Sequence, residues 1–165
     1  MPSHDHPCQR KTVAMTLLFL ALHVLSATIW VGGMFFAHVA LRPASLQLEL
    51  EQRVDLWFAT FSRFFPWVWA IVILLPVSGY GLLHSAFGNP HPMPTHIHIM
   101  QWLGWTMISL FVFLFATHFR KMTTMLKKRL IPEAALYLNR IRIIVSINLA
   151  LGLLTILVAS TGRYW

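Results

Sequence analysis

Apolar residues run along this chain in blocks too long and too continuous for a water-soluble fold. From Thr12 to Leu41 there is no Asp, Glu, Lys or Arg. As helix, that run measures roughly 45 Å, more than the roughly 30 Å of a hydrocarbon core. A second uncharged stretch lies between Arg63 and Arg120. It is too long for one helix and is interrupted by Asn89-Pro90-His91-Pro92-Met93-Pro94, where successive prolines remove amide donors and crowd the preceding turn. The run from Ile143 to Thr161 suffices for a further crossing. The pattern predicts an all-α integral membrane four-helix bundle: an N-terminal tail over 1–11, then one domain over 12–165 with spans at about 12–41, 64–85, 97–119 and 142–162. Arg10-Lys11 and the apolar start resemble a signal peptide, but the run is about twice the usual roughly 7 to 15 residues. It reads as a retained span.

Composition agrees, with 57% apolar and 11% charged residues and a mean hydropathy of +0.64. The expected surroundings are a lipid bilayer. One cysteine, Cys8, excludes an internal disulfide and any multi-cysteine zinc or iron–sulfur site. The 13 Lys and Arg residues outnumber 5 Asp and Glu, yet they lie between apolar blocks and form no hydrophilic domain, so nucleic acid is not indicated. They act as topology signals instead. Arg10, Lys11 and Arg163 fall on the side of the termini and the second connection. Arg42, Arg53, Arg63, Arg120, Lys121, Lys127, Lys128, Arg129, Arg140 and Arg142 fall on the other. The positive-inside rule therefore puts both termini and the Pro/His connection outside.

Several residues bear on packing. Gly32-Gly33, Gly79, Gly81, Gly104 and Gly152 would let helices approach, and Ser146 and Asn148 could hydrogen-bond across to neighbours. Pro76 is expected to kink the second span. Trp57, Trp67, Trp69, Trp102 and Trp105 suit either an interfacial belt or ordinary packing. The segment Ala44 to Val54 suggests a short helix on the inner surface.

Candidate chemistry rests on nine histidines. His91-Pro-Met93-Pro-Thr-His96-Ile-His98-Ile-Met100 offers imidazole and thioether without a carboxylate, a donor set suited to copper, with thioether favouring Cu(I). If a helix starts near Thr95, His96 and Met100 share a face and His98 points elsewhere. The alternative is a polar loop whose histidines cap a helix or sit among headgroups. His23, inside the first span, should face the protein interior and find a partner, either as ligand or as a structural hydrogen bond. Trp30 follows one heptad later and could wall the same cavity.

His38 lies about 22 Å further along the same helix, so it cannot share an ion with His23. Two histidine levels on one helix would suit stacked haems, with His38 opposite His118 and His23 opposite His98. Against this, His98 and His118 differ by about 200° around an ideal helix. No nucleophile–base pair, phosphate loop or paired carboxylate occurs, which removes most support from hydrolase and kinase readings.

The run Leu22-His23-Val-Leu-Ser-Ala-Thr-Ile-Trp30-Val-Gly32-Gly33-Met34-Phe-Phe resembles the first helix of the CopD-type copper resistance membrane proteins. Val77-Ser78-Gly79 and Leu138-Asn139-Arg140 also fit that family. The most specific part is His-x6-Trp-x-Gly-Gly. The resemblance implies a stand-alone version of a CopD C-terminal domain, handling copper at a bacterial inner membrane and receiving it from a periplasmic carrier. The HemJ-type protoporphyrinogen oxidases, which bind haem b, have a similar first-helix His. This chain lacks the lysine they hold in the third span.

The resulting expectation is a copper transport protein, more transporter than enzyme, with periplasmic termini. His96, His98 and Met100 accept copper, His91 and Met93 recruit it, and His23 is the buried relay. The alternative is a b-type haem protein using His23, His98, His38 and His118. Four helices make a narrow pore, which a homodimer would widen.

Overall fold

A computed structural model describes residues 7–87 and 93–164. Helix α1 (Pro7–Phe36) passes through a π-helical turn, Ala37–Leu41, into α2 (Arg42–Ser45). Helix α3 (Leu50–Phe87) follows, then α4 (Thr95–Phe113), whose continuation runs through a second π-helical turn, Leu114–Phe119, into α5 (Arg120–Lys127). Helix α6 (Ile131–Thr161) ends in a short 3₁₀ turn, Gly162–Tyr164. Four stretches, Thr12–Ser45, Leu50–Ser85, Thr95–Lys127 and Ile131–Thr161, are long and apolar enough to cross a membrane. The expected all-α, four-span architecture holds, and no strand occurs among the described residues.

The helices exceed the uncharged runs. Helix α3 begins well before residue 64 and α6 well before residue 142, so charged turns continue the same rods beyond the apolar length. The segment from Ala44 to Val54 does not form a separate surface helix. Pro43 opens α2, and i→i−3 bonds tighten the chain after Ser45 (Leu46 N–H to Pro43 O, Gln47 N–H to Ala44 O) before α3 starts. Glu51 in the first turn of α3 complements the helix dipole. Helix α5 ends in a Schellman motif: Leu130 N–H bonds Met125 O while Arg129 N–H bonds Leu126 O. Arg129 takes the left-handed position at φ 60°, where glycine is usual. Helix α3 continues unbroken through Pro76, although that proline cannot donate to the Val72 carbonyl.

By contact density the chain divides into two units, Met1–Trp30 with Trp67–Pro92, and Val31–Pro66 with Met93–Trp165. In the first, Phe19 and His23 of α1 meet Gly81 and Gly79 of α3. In the second, Val54, Trp57, Phe61 and Phe65 form a buried stripe on α3 at helical spacing. Phe61 stacks on Phe65 at 5.0 Å, and Phe119 meets Phe65 edge-on at 4.9 Å. Aromatic pairs of this kind add about 0.5–1.5 kcal/mol beyond their buried area. Gly152 admits Val31 and Met107, and Gly33 admits the Phe64 ring. By contrast, a Cβ at Gly32 or Gly104 would meet nothing within 4 Å among the described residues, so neither makes a close approach to them.

Many apolar side chains point outward, among them Leu17, Leu25, Phe36, Ile73 and Leu157, as expected where lipid replaces water. Trp67 and Trp102 are exposed, whereas Trp57 and Trp30 are buried. Trp57 is therefore a packing residue, with its indole donating to Ser45 Oγ at 3.1 Å.

Candidate functional site

His23 sits in an apolar stretch of α1, where an imidazole must find a polar partner. It finds two on α3: Nδ1 lies 3.0 Å from Ser78 Oγ and 3.2 Å from the Leu75 carbonyl oxygen. Gly79 makes this approach available, since a Cβ there would stand 3.2 Å from His23 Cε1. Ser78 is fully buried, and its hydroxyl donates to Leu74 O at 2.6 Å. A carbonyl only accepts, and the serine proton is already engaged, so the shared hydrogen sits on Nδ1. The Nε2 atom then keeps its lone pair. Metal-ligating histidines have this arrangement, the second ring N–H being given to a carbonyl or similar acceptor.

His38 repeats the device in the other unit. Its Nδ1 lies 2.9 Å from Ser146 Oγ, which donates to Arg142 O at 2.8 Å. His118 does so locally: Nδ1 is 2.6 Å from Thr117 Oγ1, which donates to Phe113 O at 2.6 Å. Its ring meets Phe113 and Tyr137 edge-on at 5.4 and 6.4 Å. Both His38 and His118 occupy π-helical turns, which recur at functional sites. The two share no hydrogen bond or ring contact among the described residues.

The His/Met segment is described in part, because His91 lies outside the described residues. Helix α4 starts at Thr95, so His96 and Met100 do share a face, one turn apart. His98 is exposed and lies about 200° around the helix from His96. His96 packs on Gly162, where any Cβ would overlap it. Met93 is half-buried just before the helix. Among the described residues no three His, Cys, Asp or Glu side chains converge. The donor chemistry nonetheless fits a soft ion taking few ligands, with one imidazole and one thioether on a common face.

Sequence reasoning did not anticipate a cleft in the second unit, lined by His38, Arg42, Trp57, Phe61 and Arg142. The Arg142 guanidinium lies over the Trp57 ring at 5.7 Å, and Ser45 links Trp57 Nε1 to Arg42 O. These residues come from three separate segments of the chain and share no motif, so only their packing reveals them. Comparison with family models, with curated proteins and with solved structures gives no match to this chain.

Proposed function

We propose that this multi-pass membrane protein handles copper at a bacterial inner membrane, taking it from the periplasmic side, where both termini lie, and passing it inward through His23. The observation that carries this reading is the commitment of His23 Nδ1–H to Ser78 Oγ and Leu75 O, which reserves Nε2 for a metal. His96 and Met100 form the accepting face on α4. His98, His91 and Met93 serve as recruiters from a soluble carrier. The basic connections remain in the cytoplasm by the positive-inside rule. The task assigned is transfer rather than catalysis, the imidazole having only Ser78 Oγ and Leu75 O as hydrogen-bond partners among the described residues.

Copper accumulation in cells expressing wild type or His23→Ala, paired with Cu(I) competition titration of purified protein, tests the reading. The wild type is expected to alter cellular copper and to bind Cu(I), with both effects lost in His23→Ala. Unchanged copper content together with unchanged binding overturns it. A second reading, a b-type haem protein, is favoured by one observation: His38, in the π-helical turn that follows α1, is anchored by Ser146 as His23 is by Ser78. A Soret band in the purified protein, lost with His23→Ala or His38→Ala, would select haem over copper.

A further inference from the structure

The cleft around Arg142 has a charge problem that the copper reading leaves untouched. Arg42 and Arg53 are close enough to Arg142 to act on it electrostatically. Among the described residues none of the three forms an ion pair, and Arg142 Nε is buried with no hydrogen-bond partner. A buried charged donor left unpaired is costly, and like charges nearby add to the cost. Several of the residues around it are nevertheless held in place. Arg142 lies over Trp57, Trp57 donates to Ser45, and Ser45 donates to the Arg42 carbonyl. On the other side Ser146 ties His38 to the Arg142 carbonyl. The Arg142 guanidinium held over Trp57, with the like charges of Arg42 and Arg53 near it, His38 lining the same cleft and no ion pair to any of the three arginines among the described residues, makes a receptor for an oxyanion, since planar guanidinium forks match phosphate oxygens.

Size and depth narrow the ligand. The cleft is half open, narrow and lined by apolar surface, so a charged headgroup would set its oxygens against the guanidinium groups at the rim rather than enter whole. Arg42 directly follows the uncharged run Thr12–Leu41, and Arg142 directly precedes the run Ile143–Thr161. Both therefore stand where hydrocarbon gives way to headgroups, the level of a phospholipid phosphate.

We propose that the cleft of His38, Arg42, Trp57 and Arg142 binds the phosphate of an anionic phospholipid headgroup. The lipid supplies the missing counter-charge and fixes the ends of α1, α3 and α6 at the membrane boundary.

Native mass spectrometry of the full chain in neutral detergent, titrated separately with phosphatidylglycerol, phosphatidylcholine and inorganic phosphate, provides the test. Phosphatidylcholine presents the same phosphodiester beside a choline cation, which the arginines repel. Phosphatidylglycerol is expected to bind at least about tenfold more tightly. Arg42→Gln with Arg142→Gln should abolish that preference, whereas Arg120→Gln with Lys121→Gln, outside the cleft, should retain it. Arg42→Lys with Arg142→Lys keeps the charge but loses the fork, and is expected to weaken binding by about tenfold while the protein stays folded. Displacement of phosphatidylglycerol by inorganic phosphate supports the phosphate group as what is recognised, whereas phosphate binding without lipid binding overturns the lipid proposal in favour of a soluble phosphate. Equal affinity for the two lipids, or an unchanged preference in both arginine pairs, overturns the proposal.

Discussion

The hydrogen bond between His23 and Ser78 can be isolated by a double-mutant cycle, because neither partner is left orphaned when the other is removed. In His23→Ala the Ser78 hydroxyl still donates to Leu74 O, at 2.6 Å in the native protein. In Ser78→Ala the His23 Nδ1–H still reaches Leu75 O, at 3.2 Å. The cycle therefore reports the 3.0 Å contact with little contamination from unsatisfied groups. Interhelical hydrogen bonds in membrane proteins average about 0.6 kcal/mol and reach about 1.7. The second acceptor keeps this one at the low end, since removing Ser78 merely shifts the proton fully onto Leu75 O. The expected coupling is about 0.6 kcal/mol, roughly threefold in the unfolding equilibrium. Reversible unfolding in mixed micelles, followed by tryptophan fluorescence, measures it on the wild type, both single variants and the double. A coupling indistinguishable from zero would mean that Ser78 is not a partner. A value near 2 kcal/mol or above would mean that Leu75 O does not share the proton. The second result removes the tautomer argument on which the metal reading stands, whereas the first leaves that argument on Leu75 O alone.

Four other outcomes follow from the same geometry. Gly152→Ala places a Cβ 2.8 Å from Val31 Cγ2 and 3.2 Å from Met107 Cε; overpacking should cost about 1–3 kcal/mol in thermal or detergent unfolding. Val31→Ala added to that variant should recover part of the loss, and a Gly152→Ala protein as stable as wild type would show the contact is loose. Arg129→Gly should stabilise by about 1 kcal/mol, because φ 60° suits glycine and strains an L side chain; a lower melting temperature would contradict that account. Asn148 Oδ1 is buried with no hydrogen-bond partner, so Asn148→Leu should be neutral or stabilising by about 1–3 kcal/mol, and marked destabilisation would reveal an acceptor role in the membrane. With Cys8 replaced by Ala, a cysteine at Lys127 should react with a membrane-impermeant maleimide only after cells are permeabilised; labelling of intact cells would reverse the orientation.

The helical class and the number of crossings were legible in the sequence because lipid imposes a one-dimensional constraint. An uncharged run of sufficient length has few alternatives to a helix, and Pro90-His91-Pro92-Met93-Pro94 can only interrupt it. The start of α4 at Thr95, and with it the shared face of His96 and Met100, was legible for the same reason. Helix ends were not. Glu51 and Glu133 stand inside α3 and α6, since a charged turn projecting from the bilayer remains helical and composition marks only where hydrocarbon stops.

What His23 and His38 touch was decided by tertiary structure alone. Spacing in the first uncharged run separates their imidazoles, but nothing in the pattern says that Ser78 stands opposite one and Ser146 opposite the other, or that Gly79 rather than Gly104 opens the space. The arginine cleft is the extreme case: Arg42 and Arg142 read in sequence as two of many topology signals, and only packing brings them to one cleft beside Trp57. Hydrophobic run length is a sum over neighbours in the chain and survives any packing, whereas a hydrogen bond depends on the relative depth and rotation of two helices, which side-chain interlock sets to within an ångström.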